Sequence, residues 1–212
     1  MTQMHIENLF PTPVMRVEKI FSPQELDTLQ TQLGNGATVA NAKTDLLTHT
    51  QPLNTDDIAE LGDLSHRLQD YLRDFGFLMF GENLHWTVKE MWMNESVTGA
   101  AQLLHSHANS MISAVIYLTD VHPSARIVFH KPSSGNQFIF SNTHAESATT
   151  PFNAERWVPE QLNRGDVVFF PSYMQHAVPP NQGNQPRISI ALNALPDRLK
   201  SWDYQVNFNH SS

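Results

Sequence analysis

The sequence has no cysteine, few basic residues and no long apolar run. The lack of cysteine excludes a disulfide, a thiolate nucleophile and a zinc–thiolate site. Thirteen Lys and Arg side chains against twenty-one Asp and Glu give a formal net charge of −8, so a nucleic acid would be repelled and is not expected as a general partner. No segment approaches the roughly 18 apolar residues of a membrane-spanning helix, and no signal peptide opens the chain. We therefore expect a cytoplasmic protein without membrane association.

The order of the periodic patterns predicts an α+β protein. Ser22-Pro23-Gln24-Glu25 has the pattern of a capped helix start, and Gly34 is the expected end of that helix. Apolar residues at helical spacing from Ile58 to Phe75 predict a second helix that ends at Gly76. From Leu84 onward the pattern changes to short extended segments separated by turn residues. We expect the helices to cover the outer face of a sheet that closes or nearly closes.

The length of 212 residues fits a single domain. We divide it into helical support over about 1–83, a strand-rich core over about 84–195 and a tail over 196–212. A short strand is predicted early, at Leu9–Val17. The irregular stretch 141–160 is interpreted either as a functional lid or as a disordered excursion. The candidate core strands are Trp86–Met93, Met111–Leu118, Arg126–Phe129, Gln137–Phe140, Asp166–Phe170 and Arg187–Leu195.

Three histidines have a spacing that suits a metal site. His105 and His107 are two residues apart, so on an extended segment their rings point to the same face. His176 follows the buried run 166–170 and is in a position to add a third imidazole from another strand. Each histidine alone is better explained by a structural role, and only their order together with a later arginine favours a ligand set. A redox metal held on one face keeps open positions for oxygen chemistry.

The segment Arg187–Asn193 alternates between a polar and an apolar face. Arg187 and Ser189 share the polar face, whose other residues are small and leave room for a ligand. A guanidinium binds a carboxylate through two parallel hydrogen bonds, and a serine hydroxyl can add another. We predict that this pair binds a carboxylate co-substrate. Asn109 and Tyr117 are further candidates for co-substrate contact, and an ordinary role in a strand explains them equally well.

These residues resemble the 2-oxoglutarate-dependent Fe(II) oxygenases, and most closely a bacterial and phage group with a His-x-His motif. The resemblance implies a double-stranded β-helix (jelly-roll or cupin-like) fold with the N-terminal helices on its outer face. It also implies Fe(II) on His105, His107 and His176, with 2-oxoglutarate on Arg187 and Ser189. The implied reaction is hydroxylation of a small-molecule or peptidyl substrate with release of succinate and CO2. The resemblance is carried by 105–118, 164–172, His176, 186–189 and Asn193, and also by 9–14.

One position departs from the wider superfamily, which has Asp or Glu where this chain has His107. A third neutral imidazole leaves the metal one charge more positive, and the alternative is that water takes the place of His107. Two other functions also stay open. One is a three-histidine dioxygenase that uses no keto acid and has no need of Arg187 and Ser189. The other is a jelly-roll protein that binds a metal or ligand without catalysis.

Overall fold

The computed structural model describes residues 3, 5–6, 8–34, 36–41, 44–54, 59–132, 142 and 144–209. The two helices are α1 (Pro23–Gly34) and α2 (Ala59–Phe80). The strands before the midpoint are β1 (Met15–Val17), β2 (Thr38–Asn41), β3 (Thr44–Thr50), β4 (Trp86–Ser96), β5 (Gln102–His105) and β6 (Ile112–Tyr117). The later strands are β7 (Val128–His130), β8 (Arg156–Trp157), β9 (Val167–Pro171), β10 (His176–Val178), β11 (Arg187–Pro196), β12 (Arg198–Ser201) and β13 (Tyr204–Asn207).

Helix α1 begins as the sequence predicts. The Glu25 carboxylate accepts a hydrogen bond from the Ser22 backbone N–H at 2.7 Å, and the Glu25 N–H donates to the Ser22 hydroxyl at 3.3 Å. This reciprocal pair satisfies two backbone donors that the first turn would otherwise leave free. All the leucines of the two helices except Leu78 are buried and pack together on one side of the large sheet.

Seven antiparallel strands form the large sheet, in the order β1-β9-β6-β11-β4-β3-β2. Because side chains alternate across a strand, each central strand has one row on either face. In β6, Ala114 and Ile116 belong to the core cluster under the helices, whereas Val115 and Tyr117 belong to a second cluster on the other side. The central strands of the sheet are therefore buried on both faces, and the helices cover the outer face.

Four strands form a smaller sheet, in the order β5-β10-β7-β8. Phe129 of β7 packs against Phe170 of β9 with ring centroids 5.0 Å apart, so the small sheet faces the large one. The second core cluster, which includes Ile127, Phe129, Val168 and Phe170, fills part of the space between them. The described strands thus make two facing sheets, and β12 and β13 pair only with each other.

The structure corrects the expected end of the second helix. Gly76 lies inside α2, which continues to Phe80. A Cβ at position 76 would lie 2.5 Å from the Trp86 indole, so this glycine is explained by close packing on β4. In the same N-terminal part of the chain, β2 and β3 form a hairpin that the sequence did not predict and that extends the large sheet.

The predicted core strands mostly match observed ones within a few residues, except that Gln137–Phe140 lies outside the described residues. The early strand predicted at Leu9–Val17 is confined to Met15–Val17. Residues assigned to the tail include the β12–β13 hairpin, which the Arg198–Glu82 ion pair ties to the end of α2. Among the described helices, none has the length and apolar character needed to cross a membrane.

Replacing Gly76 by Ala should destabilise the fold by roughly 1–3 kcal/mol, because the added methyl group has to displace the Trp86 ring in a packed core. Chemical denaturation monitored by tryptophan fluorescence measures the change. Gly34→Ala is the matched control, since a Cβ at position 34 meets nothing within 4 Å. Equal free energies of unfolding for the two variants would show that the close approach of α2 and β4 is not a constraint.

Candidate metal centre

The three predicted histidines lie together at one end of the small sheet. His176 opens β10 and pairs directly with His105 at the end of β5. His107 lies two residues beyond that strand, and its backbone N–H donates to the Ser172 carbonyl at 2.9 Å, which fixes the segment against the turn before β10. One nitrogen from each ring lies within 4.8 Å of one from each of the others. The geometry is that of a three-imidazole cluster around a common point.

Backbone hydrogen bonds orient two of the three rings. The Nδ1 atom of His105 lies 2.7 Å from the Leu103 carbonyl, and that of His176 lies 2.9 Å from the Met174 carbonyl. A carbonyl can only accept, so both Nδ1 atoms carry the ring proton. The lone pair is therefore on Nε2 in both rings, which is the form that binds a metal.

Burial keeps two of the imidazoles neutral. It lowers the pKa of His107 to about 4, and the neighbouring His105 ring acts in the same direction. It also lowers the pKa of His176 to about 3, against the hydrogen bond to Met174, which favours the protonated ring. At neutral pH these two rings are uncharged, as metal ligation requires.

Arg187 lies deep in the structure and has no anionic partner among the described residues. Only 5% of the residue is exposed, and its Nη1 donates to the Ser189 hydroxyl at 3.0 Å. Its guanidinium carbon lies 5.1 Å above the centre of the Tyr117 ring. Within the described ranges its Nε and the Tyr117 hydroxyl are buried without a hydrogen-bond partner, and burial raises the pKa of Tyr117. Arg187 therefore keeps hydrogen-bonding capacity that the described residues do not use.

A cavity of about 380 Å³ connects the histidine cluster with Arg187 and Ser189. Its floor is formed by residues of β6, β9 and β11, and its other walls by β3, β4 and the small sheet. Most enzyme pockets for small ligands have volumes of about 300–1,000 Å³, so there is room for one small ligand. Of the candidates from the sequence, neither Asn109 nor Tyr117 lines this cavity. Asn109 is exposed, with a left-handed φ of 53°, and Tyr117 is fully buried against the Arg187 guanidinium.

Four cavity residues on β4 were not identified from the sequence. They alternate on the face that lines the cavity, while Met91 and Met93 pack under the helices; the four are Glu90, Trp92, Asn94 and Ser96. Trp92 lies close to His107, with ring centroids 5.9 Å apart. Their alternation was visible in the sequence, but nothing in it indicated which face of β4 would be opposite the histidines.

A buried polar network lies behind His107. The Ser113 hydroxyl donates to the Asn193 Oδ1 at 2.7 Å and lies 2.9 Å from the Ser172 hydroxyl. The Asn193 Nδ2 donates to Glu90 at 2.7 Å and lies 3.4 Å from the His107 Nδ1. Each group in this chain has a partner, as buried polar groups require. The network makes the surroundings of His107 unlike those of the other two histidines.

Two facing antiparallel sheets, with a facial set of imidazoles and a buried arginine between them, define a non-haem metal site of the kind found in oxygenases. Residues 90–193 match the model of the family described as "Putative 2OG-Fe(II) oxygenase". This match covers β4 through most of β11, which contain all three histidines and Arg187. The resemblance to 2-oxoglutarate-dependent Fe(II) oxygenases expected from the sequence is confirmed.

Solved structures share the fold. HygX from Streptomyces hygroscopicus, with nickel and 2-oxoglutarate bound, is 14% identical, covers 87% of this chain and 83% of its own, and has a TM-score of 0.65. The α-ketoglutarate-dependent epimerase SnoN of nogalamycin biosynthesis is 13% identical, with coverages of 88% and 80% and a TM-score of 0.64. An oxidoreductase of the 2OG-Fe(II) oxygenase family from Burkholderia pseudomallei is 14% identical, with coverages of 85% and 83% and a TM-score of 0.60.

These similarities confirm the expected double-stranded β-helix with helices on its outer face. The described strands form two facing sheets and not one closed barrel. At identities of 13–14% the likeness establishes the fold and leaves the activity to the site itself. No curated protein matches this chain in sequence.

The metal-free protein should lose stability as the pH falls from about 6.5 toward 4. The unfolded state takes up protons near the ordinary histidine pKa of 6.5, whereas His107 and His176 resist protonation until about 4 and about 3. Stability is thus fully present above pH 6.5 and declines below it. Urea unfolding in the presence of a chelator at several pH values measures the slope, which should be smaller in His107→Gln. Identical slopes in the two proteins would contradict the buried neutral state of this ring.

Proposed function

We propose that this protein is a non-haem Fe(II)- and 2-oxoglutarate-dependent oxygenase that hydroxylates a small-molecule or peptidyl substrate, acting as a single domain over 1–212. The observation that supports it most is that one cavity holds three clustered imidazoles and a buried arginine for which the described part of the chain supplies no anionic partner. A metal site alone has no use for such an arginine. A carboxylate co-substrate that also binds the metal uses both.

The donor set fits Fe(II). His105, His107 and His176 would hold the ion through neutral imidazole nitrogens, which suit iron as well as other divalent transition metals. The cluster would occupy one face of the ion, and the cavity lies on the open side. When bound, the iron would supply activation of oxygen at that open side, and the reaction would convert oxygen, 2-oxoglutarate and a C–H bond into an alcohol, succinate and CO2.

The second part of the site fits the far carboxylate of 2-oxoglutarate. The Arg187 Nε has no hydrogen-bond partner among the described residues, and the bond from Nη1 to Ser189 holds the guanidinium in place. The Tyr117 ring packs against the guanidinium, and its buried hydroxyl likewise has no partner in the described part of the chain. Apolar walls from Val115, Ile127 and other core residues exclude water, which strengthens a charged hydrogen bond.

The remaining part of the cavity would receive the substrate. Trp92 and Asn94 of β4 line this part, together with His49 of β3 and Gln51, the residue that follows β3. HygX has also been solved with hygromycin B bound, which supports a small molecule as the substrate here. An aromatic ring beside amide and imidazole groups provides both an apolar surface and hydrogen bonds for such a ligand.

The proposal is tested by incubating the Fe(II) protein with 2-oxoglutarate and oxygen and measuring succinate. Turnover of the co-substrate even without a prime substrate, at a low rate, is the expected result. His176→Ala should abolish this turnover and the binding of Ni(II), because one of three ligands is lost, while the protein remains folded. Oxygen consumption that does not depend on 2-oxoglutarate would favour the three-histidine dioxygenase. Metal binding without any turnover would favour the non-catalytic alternative.

Arg187→Ala should lower the affinity for 2-oxoglutarate by roughly ten- to a hundredfold, since a charge-assisted bidentate bond contributes about 1.5–3 kcal/mol. Arg187→Lys should recover only part of the affinity, because an ammonium group has no planar fork. Calorimetric titration of 2-oxoglutarate into the Ni(II) proteins measures both. Affinity for Ni(II) itself should hardly change, and Arg156→Ala, on an exposed strand, should match the wild type. Unchanged co-substrate affinity in Arg187→Ala would remove this residue from the site.

A further inference from the structure

We propose that Glu90 is a positioning residue for the metal centre: it acts through Asn193 on His107 and supplies, one shell out, the negative charge that three neutral histidines lack. This inference rests on the metal-dependent function proposed above. Glu90 is the only acidic side chain among the described residues that line the cavity, and Arg187 is the only Lys or Arg. The two charges therefore have separate roles within one small space.

The sheet register brings Glu90 to this position. Asn193 of β11 is paired directly with Glu90 of β4 on one side and with Ser113 of β6 on the other. All three side chains line or adjoin the cavity, so they meet at the same depth beside His107. Three neighbouring strands thus each contribute one polar group to a continuous hydrogen-bonded row.

The chemistry of the row determines how the Asn193 amide is turned. A carboxylate only accepts hydrogen bonds, so the atom of Asn193 that lies 2.7 Å from Glu90 has to be the amide nitrogen. The amide oxygen then faces Ser113, whose hydroxyl donates to it at 2.7 Å. With both ends fixed, the Asn193 amide is a rigid support at the back of the His107 ring, 3.4 Å from Nδ1.

The hydrogen-bonded row also places a charged group, the Glu90 carboxylate, near His107. Burial opposes the ionisation of Glu90, but hydrogen bonds from Asn193 and Lys89 hold the pKa of its carboxyl below the ordinary value. The Glu90 carboxylate is held 2.7 Å from the Asn193 amide that adjoins His107, and the Lys89 ammonium lies 3.3 Å from the same carboxylate, so a negative and a positive charge both lie near His107. A divalent ion bound to His107 adds positive charge at the same place, so the two side chains should affect metal binding in opposite directions.

The test measures binding of Ni(II) and Co(II) to the metal-free protein by calorimetry and records the visible d–d spectrum of the Co(II) form. Glu90→Gln should weaken metal binding about tenfold, the lower range for a residue that supports a ligand, and should shift the Co(II) bands because the Asn193 amide is no longer held. Lys89→Met should strengthen binding by roughly two- to fivefold. Thermal unfolding of the metal-free variants confirms that each is folded.

Glu95→Gln is the matched control: it makes the same change on the same strand, at a residue that does not line the cavity. If Glu90→Gln binds both metals as tightly as Glu95→Gln does, the inference is overturned while the proposed function stands. A weaker affinity with unchanged Co(II) bands would also overturn it, in favour of a long-range charge effect alone. If the wild type binds neither metal, the proposed function fails and this inference fails with it.

Discussion

The alternation of side chains across the central strands, which are buried on both faces of the large sheet, is the constraint on which the rest of this structure depends. In β11, Ile190 and Leu192 pack under the helices, while Ser189 and Asn193 face the small sheet. A shift in register by one residue would exchange the two rows and place Arg187 among the helical leucines. The same alternation that builds the core therefore also places the polar groups of the site, and neither can change without the other.

The two charged side chains of the cavity, Arg187 and Glu90, lie at different places along it. A buried guanidinium with no carboxylate partner among the described residues costs free energy that packing elsewhere has to offset, and a ligand carboxylate would recover it. Glu90 lies beside Asn193, six positions along β11 from Arg187, where it is partly exposed and bonded to Asn193 and Lys89. A co-substrate with a negative end and a metal-binding end would match this order of charges. The unsatisfied donors are thus a property of the site and not a defect of the fold.

Local signals in the sequence predicted local structure well. The Ser22–Glu25 box marks the start of α1, and the alternation of Arg187–Asn193 gave the strand on which the candidate arginine lies. Prediction failed where a residue was chosen for a contact distant in sequence. A glycine after an apolar helical pattern predicts a helix end, yet Gly76 lies inside α2, where its lack of a side chain makes room for the Trp86 indole. The β2–β3 hairpin was missed because its strand residues, of which only two are buried, carry no clean apolar period.

The sequence by itself determined the helix boundaries that depend on capping, the period of the strands and the identity of the candidate ligands, since these depend on neighbours a few residues away. Only the tertiary structure decided which strands would be adjacent. The pairing of β5 with β10 brings His105 and His176 together, and the pairing of β4 with β11 brings Glu90 to Asn193, 103 positions apart. Such pairings minimise exposed apolar surface and unpaired backbone over the whole chain, and no short segment contains that information.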